Sequence, residues 1–305
     1  MNQLQQAVYK TLAFFDIFDY PLTKIEIFKW LNAGDKHENN LSDVEEALNQ
    51  ISEKVQTKNS FYFLNGKESI INERLKRYGY AEDKFKKAIK FIKIFRFIPF
   101  IKMIAVCNTL AYSNCGRAGD IDLFVVAKKN RLWLTRFLVI SFLKLFKVRP
   151  TAEKKQDAID APFFLSNEDL NIEDVKISSQ DIYLTHWVDQ LVPIYDADNT
   201  YQKFMEANQW IKETLPNSIG YQLNDRRVVR SNLLSKIGNY KLNLFLNWQF
   251  LENMVKKYQL KIMPRVLKEM MNKNTRVVVS NKMLKFHRDD RRSEYQEKFI
   301  RALEH

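Results

Sequence analysis

Two acidic residues, Asp120 and Asp122, flank a single isoleucine in the stretch GDIDLFVVA. Side chains alternate along an extended strand, so residues two apart share a face. The pair therefore points one way at the start of an apolar run. Crowded carboxylates raise each other's pKa, and a divalent cation removes that conflict. Hard oxygen donors suit Mg²⁺, which commonly takes one or two carboxylates together with substrate phosphates. Two such ions can clamp an in-line displacement at phosphorus. The residue types and their spacing thus point to chemistry at phosphate, with Asp120 and Asp122 as metal ligands.

The surrounding segments are those needed to hold such a pair. IKMIAVC (101–107) reads as a strand, and the run from Asp122 to Ala127 reads as another. RLWLTRFLVISFLKLF (131–146) is too short to span a bilayer and carries Arg136 and Lys144. It reads as a helix buried against a sheet, with a membrane-surface helix as the other reading. DAPFFLS (160–166) supplies a third strand. Asn108 and Thr109 follow the first strand, and ten residues separate Thr109 from Asp120.

Strand, turn, hydroxyl residue, loop, Asp-x-Asp strand and buried helix together resemble the nucleotidyltransferase superfamily, the polymerase-beta-like fold, over about residues 101–166. The resemblance implies transfer of a nucleoside monophosphate from a nucleoside triphosphate to a hydroxyl-bearing acceptor, with release of pyrophosphate. It implies Asp120 and Asp122 as catalytic ligands to one or two Mg²⁺ ions. Asn108-Thr109 would lie beside the triphosphate, where the superfamily has Gly-Ser. A third carboxylate on a neighbouring strand would accept the acceptor's proton or help hold metal. Asp160 is the candidate by position, with Asp157 second. Thr109 keeps a hydroxyl, whereas Asn108 adds a side chain where glycine lets the backbone approach phosphate. A second reading therefore stands beside the enzyme: a domain of this fold that has lost catalysis and acts as a binding or regulatory module. Arg117, in the loop before the carboxylates, either meets phosphate oxygens or is a solvated loop residue.

The flanking regions differ in charge. The 305-residue chain carries net +13, distributed as −2 over residues 1–67, +12 over 68–150, −8 over 151–216 and +11 over 217–305. Basic blocks suit phosphate-bearing partners such as RNA or another polyanion, or are simply solvated faces. Residues 1–67 read as three helices and a hairpin, a winged-helix-like domain. Thr23 with Glu26 and Ser42 with Glu45 give capping-box signatures, and Lys58-Asn59 lies near the hairpin turn. The third helix carries Asp43, Glu45, Glu46 and Glu53 against Lys54 alone. Such a helix is repelled by DNA phosphates, which favours contact with a protein partner or intramolecular packing over groove binding.

A basic linker helix is expected over 68–100, broken at Gly79, then the nucleotidyltransferase-like core over 101–170, then a helical C-terminal region over 171–305. The fold class is α+β with a mixed sheet. His186 reads as a packed core residue. Cys107 and Cys115 form no disulfide framework and have no metal-ligand spacing, which fits a cytoplasmic setting. No signal-like apolar run opens the sequence, and no membrane partner is expected.

Overall fold

Asn2 accepts the N–H of Gln5, and Gln5 answers with its side chain, so α1 (Gln3–Asp16) starts on a capping box. The computed structural model describes residues 1–34, 39–222 and 224–304. The two-residue strand β1 (Leu22–Thr23) leads into α2 (Lys24–Lys29), which Thr23 and Glu26 cap reciprocally, as their spacing predicts. α3 (Leu41–Gln50) departs from expectation at its start. Asn40 is the cap and Asp43 its reciprocal partner, rather than Ser42 and Glu45. The asparagine lies earlier in the chain and engages the N–H groups of Ser42 and Asp43 itself. β2 (Val55–Lys58) and β3 (Phe61–Leu64) form the expected hairpin, and β1 adds to β3, giving the sheet order β1-β3-β2.

α4 (Ile70–Phe95) is one continuous helix of 26 residues, so the expected break at Gly79 is absent. A helical glycine costs only about 1 kcal/mol relative to alanine. Packing on both sides of it outweighs that. Ile70 and Ile71 meet Phe63, while Phe85, Phe91, Ile92 and Phe95 cover the large sheet.

β4 (Ile101–Val106), the short α5 (Asn108–Ala111), β5 (Ile121–Ala127), α6 (Leu132–Leu145) and β6 (Ile159–Ser166) follow the order expected from the sequence. β5 is antiparallel to β4 and parallel to β6. The remaining elements are α7 (Ile182–Gln190), β7 (Val192–Asp196), α8 (Thr200–Ala207), α9 (Leu233–Leu246), α10 (Gln249–Ile262), α11 (Arg265–Met270), β8 (Val277–Val279), β9 (Met283–Phe286) and α12 (Arg292–Leu303).

The expected boundary at residue 170 is corrected by the sheet. Its order is β7-β4-β5-β6-β9-β8, so three of its strands, including both edges, come from the region expected to be helical. These strands are three to five residues long, and short apolar runs carry no readable period. Pro193 sits in β7, an edge strand, where a missing N–H is tolerated. α4 and α6 cover one face of the sheet, and α7 and α8 cover the other.

Residues 1–67 share a core with the C-terminal half of the chain. Ile182 of α7 and Phe299 of α12 join the cluster built on Val8, Leu12, Phe14 and Phe15, and Trp30 Nε1 donates to Asp189 at 2.7 Å. The N-terminal segment is therefore packed intramolecularly.

Candidate functional site

β5 sets the frame. Leu123 and Val125 enter the core under α4 and α6, whereas Phe124 and Val126 enter the core around Trp187. By alternation Asp120 and Asp122 open the Trp187 side. Asp122 is the register partner of Asp160 across the parallel β5–β6 pair, so the strand register brings the expected third carboxylate alongside. Asp120 precedes the strand and is partly exposed.

Asn108 begins α5 with φ +59°, the left-handed region that asparagine tolerates better than most side chains. The backbone conformation favoured by glycine is thus kept here. Its side chain is occupied: Nδ2 donates to Asp122 Oδ2 at 2.6 Å, and Oδ1 accepts from Trp187 Nε1 at 2.9 Å. Burial pushes the Asp122 carboxyl up to about 7. The charges of Asp120 and Asp160 add to that rise, and the Asn108 hydrogen bond opposes it. Cys107 is buried behind these carboxylates, and burial together with their charge drives its thiol far up, so it is no nucleophile.

Asp160 has a cationic neighbour. Arg149 Nε lies 3.5 Å from Oδ1, an ion pair without hydrogen-bond geometry, and that buried oxygen has no hydrogen-bond partner. Asp157, the second candidate, is committed elsewhere. It pairs with Lys84, which is buried on α4 and also donates to the carbonyls of Gly119 at 2.6 Å and Arg117 at 3.2 Å. Lys84 therefore ties the loop before Asp120 to α4. The sequence shows it only as one lysine in a basic run. Arg117 itself is exposed, and Thr109 is half-buried on the first turn of α5.

Compared with family models, curated proteins and solved structures, the chain gives no match. The site must therefore be read from its own atoms.

Asp120 and Asp122 are a two-carboxylate oxygen donor set of the kind Mg²⁺ uses when substrate phosphates complete its shell. Among the described residues, no three His, Cys, Asp or Glu side chains group closely enough to hold a metal ion by themselves. The donor set fits a cation that arrives with phosphate ligands, and does not fit one caged by protein alone.

Beside Asn108 opens a cavity of about 160 Å³. Its aromatic wall holds two stacked pairs, Tyr183 with Tyr295 (centroids 5.2 Å apart) and Phe163 with Trp187 (5.8 Å). Its polar wall holds Lys285, His287 and Arg292. Arg292 reaches Asp181 and Asp290, both at 2.8 Å. Although burial acts the other way, the hydrogen bond from Arg292 and the charge of Lys285 hold Asp290 far below the usual carboxylate range. None of these wall residues is marked by a local motif. β6, α7, β9 and α12 bring them together from well-separated parts of the chain only on folding.

Proposed function

We propose that the protein is a Mg²⁺-dependent nucleotidyltransferase that moves a nucleoside monophosphate from a nucleoside triphosphate to a hydroxyl-bearing acceptor such as RNA or another polyanion. The observation that carries this reading is the register of β5 and β6. It sets Asp160 beside Asp122, with Asp120 on the same face and a cavity opening at Asn108. The strand–turn–strand–helix–strand order of β4 to β6 agrees with a nucleotidyltransferase-like core. The N-terminal three helices and three-stranded sheet agree with a winged-helix-like unit.

On this reading Asp120 and Asp122 hold the metal with the triphosphate, and the ion supplies neutralisation of charge on the phosphates. Thr109 donates its hydroxyl to a phosphate oxygen. Asp160 accepts the proton of the acceptor hydroxyl as its oxygen bonds to the α-phosphorus and the bond to pyrophosphate breaks. Oδ1 of Asp160 has no hydrogen-bond partner but is buried beside Arg149, so this role requires it to be uncovered when substrates bind. The aromatic walls at Asn108 offer stacking surfaces for the nucleobase.

One observation favours a second reading. Asp122 is already engaged by Asn108, and Asp160 already faces Arg149. A scaffold that no longer binds nucleotide would carry such internal partners, and its N-terminal unit would recruit a protein. Thermal unfolding with Mg²⁺ and each nucleoside triphosphate separates the two. The enzyme reading expects a rise in Tm with ligand in excess of Kd, lost in Asp122→Ala. No rise with any nucleotide supports the scaffold.

A further inference from the structure

α9 is inside out. Its inner face is largely polar: Ser235 is buried, and Asn239 Nδ2 donates to the Arg96 carbonyl at 3.0 Å, while Leu246 at the last turn packs on the cluster of Phe100, Leu134 and Val255. Its outer face carries Leu233, Leu234, Ile237, Tyr240, Leu244 and Phe245, with Leu233 72 % and Phe245 74 % exposed. A surface helix ordinarily shows the opposite arrangement. Trp248, between the two helices, is exposed, and α10 carries apolar residues on its outer side as well. There Phe250, Met254, Tyr258 and Ile262, four residues apart, form one exposed row.

Contacts on the inner side fix the rotation of both helices. Glu252 accepts the N–H groups of Trp133 and Leu134 at 2.9 and 3.0 Å, capping α6 from outside, and Gln259 Nε2 donates to the Trp133 carbonyl at 2.8 Å. Gly238 lies beside Phe97, whose ring would stand in ordinary contact, 3.4 Å, from an added Cβ. The apolar rows therefore cannot turn inward without breaking these bonds.

Charge identifies the occupant. Between Ser231 and Lys268 the sole acidic residue is Glu252, which is buried. The exposed Lys236 borders the apolar face of α9 and Lys241 lies within it, and the exposed Lys257 and Lys261 stand beside the row on α10. Lys90 and Lys93 on α4 are exposed too, and α4 ends where α9 docks. A second copy of the chain laid on this face would set lysine against lysine with no carboxylate between. Lipid phosphates accept from all of them, and the acyl boundary accepts the leucines and phenylalanines. Tyr240, Trp248 and Tyr258 are of the amphipathic aromatic type that settles at headgroup level.

We propose that α9 and α10 form a peripheral docking surface for an anionic bilayer, lying in the interface plane with their apolar rows in the headgroup–acyl boundary. The proposal runs against the expectation of no membrane partner. No helix among the described residues is long and apolar enough to cross a membrane, and lying on a bilayer does not require one. The surface is independent of the nucleotidyl-transfer reading and stands if that reading fails.

The test is flotation of the full chain with vesicles of phosphatidylcholine alone, or with about 30 % phosphatidylglycerol, at low and high salt. The expected result is at least about tenfold stronger partitioning onto the anionic vesicles, weakened by salt. Leu234→Glu with Phe245→Glu should lower it at least about tenfold, and Lys236→Gln with Lys241→Gln should lower it several-fold. All four positions are exposed, so circular dichroism and Tm should stay unchanged. Failure to float with anionic vesicles overturns the proposal. So does flotation that survives Leu234→Glu with Phe245→Glu. A dimer in light scattering that these two substitutions dissociate, without vesicle binding, assigns the face to a second copy instead.

Discussion

Asn108 donates to Asp122 at 2.6 Å while accepting from Trp187, so one amide side chain joins the paired carboxylates to the aromatic cavity. Its left-handed backbone shows that this position needs the freedom of glycine. Its side chain shows what a residue larger than glycine contributes there. It is a donor that partly offsets the burial of Asp122.

That relationship fixes the direction of one effect. A donor to a carboxylate favours the charged form. Asn108→Gly keeps the backbone accessible and removes the donor, so the Asp122 carboxyl, already near 7, should titrate higher still. Carbon-detected NMR of labelled aspartate gives the midpoint directly. An unchanged or lower midpoint would show that the hydrogen bond does not set the charge state of Asp122.

Because the folded chain holds a proton on Asp122 that the unfolded chain releases near 3.8, this carboxyl destabilises the fold increasingly as pH rises from about 4 to 7, and the loss is complete above that. Asp122→Asn removes the loss. Denaturant unfolding should find the variant more stable than the parent by about 1 kcal/mol or more at pH 8, and nearly equal to it at pH 4. Equal stability at both values contradicts the burial of charge at this position.

His186 works with the opposite charge. Its ring stacks on Phe14 with centroids 4.1 Å apart, neither nitrogen has a partner, and burial pushes it down to about 3 from 6.5. Stability from this group is full above pH 6.5 and falls as pH drops towards 3, because only the unfolded chain takes up the proton. His287, lowered likewise to about 3 by burial and by Lys285, adds a second share. His186→Phe should remove about half of the acid slope, worth roughly 2 kcal/mol between pH 6.5 and 5. It should also stabilise the chain at pH 7, since two unsatisfied nitrogens leave the core. Urea midpoints at the two pH values measure both effects.

Lys84 tests how the loop before Asp120 is held. Lys84→Met leaves Asp157 and two carbonyls without their ammonium partner and should cost about 1–3 kcal/mol, less than a fully buried pair because Asp157 is partly exposed. Adding Asp157→Asn should cost less than the sum of the two single changes. Strict additivity in a double-mutant cycle would show that the pair is not coupled.

Much of this architecture was legible in the chain. Thr23 and Glu26 announce α2 because capping is local chemistry, readable over four residues. The run from Asp122 to Ala127 announces a strand, which the structure begins one residue earlier, because both of its faces are apolar beyond the carboxylates, and Asp120 with Asp122 announces a shared face because strand alternation is fixed by geometry. By itself, then, the sequence determined the order of strands and helices from β4 to β6, the same-side carboxylate pair, and the burial of His186. Folding alone decided what depends on distant partners. The short strands β7, β8 and β9 exist because a sheet edge awaits their backbone donors and acceptors, a condition no local pattern records. Asp157 went to Lys84 and Asp160 to Arg149 because charges pair across space. α9 turned its leucines outward because Asn239 and Ser235 are anchored within, and only the tertiary fold shows which side of a helix is inside.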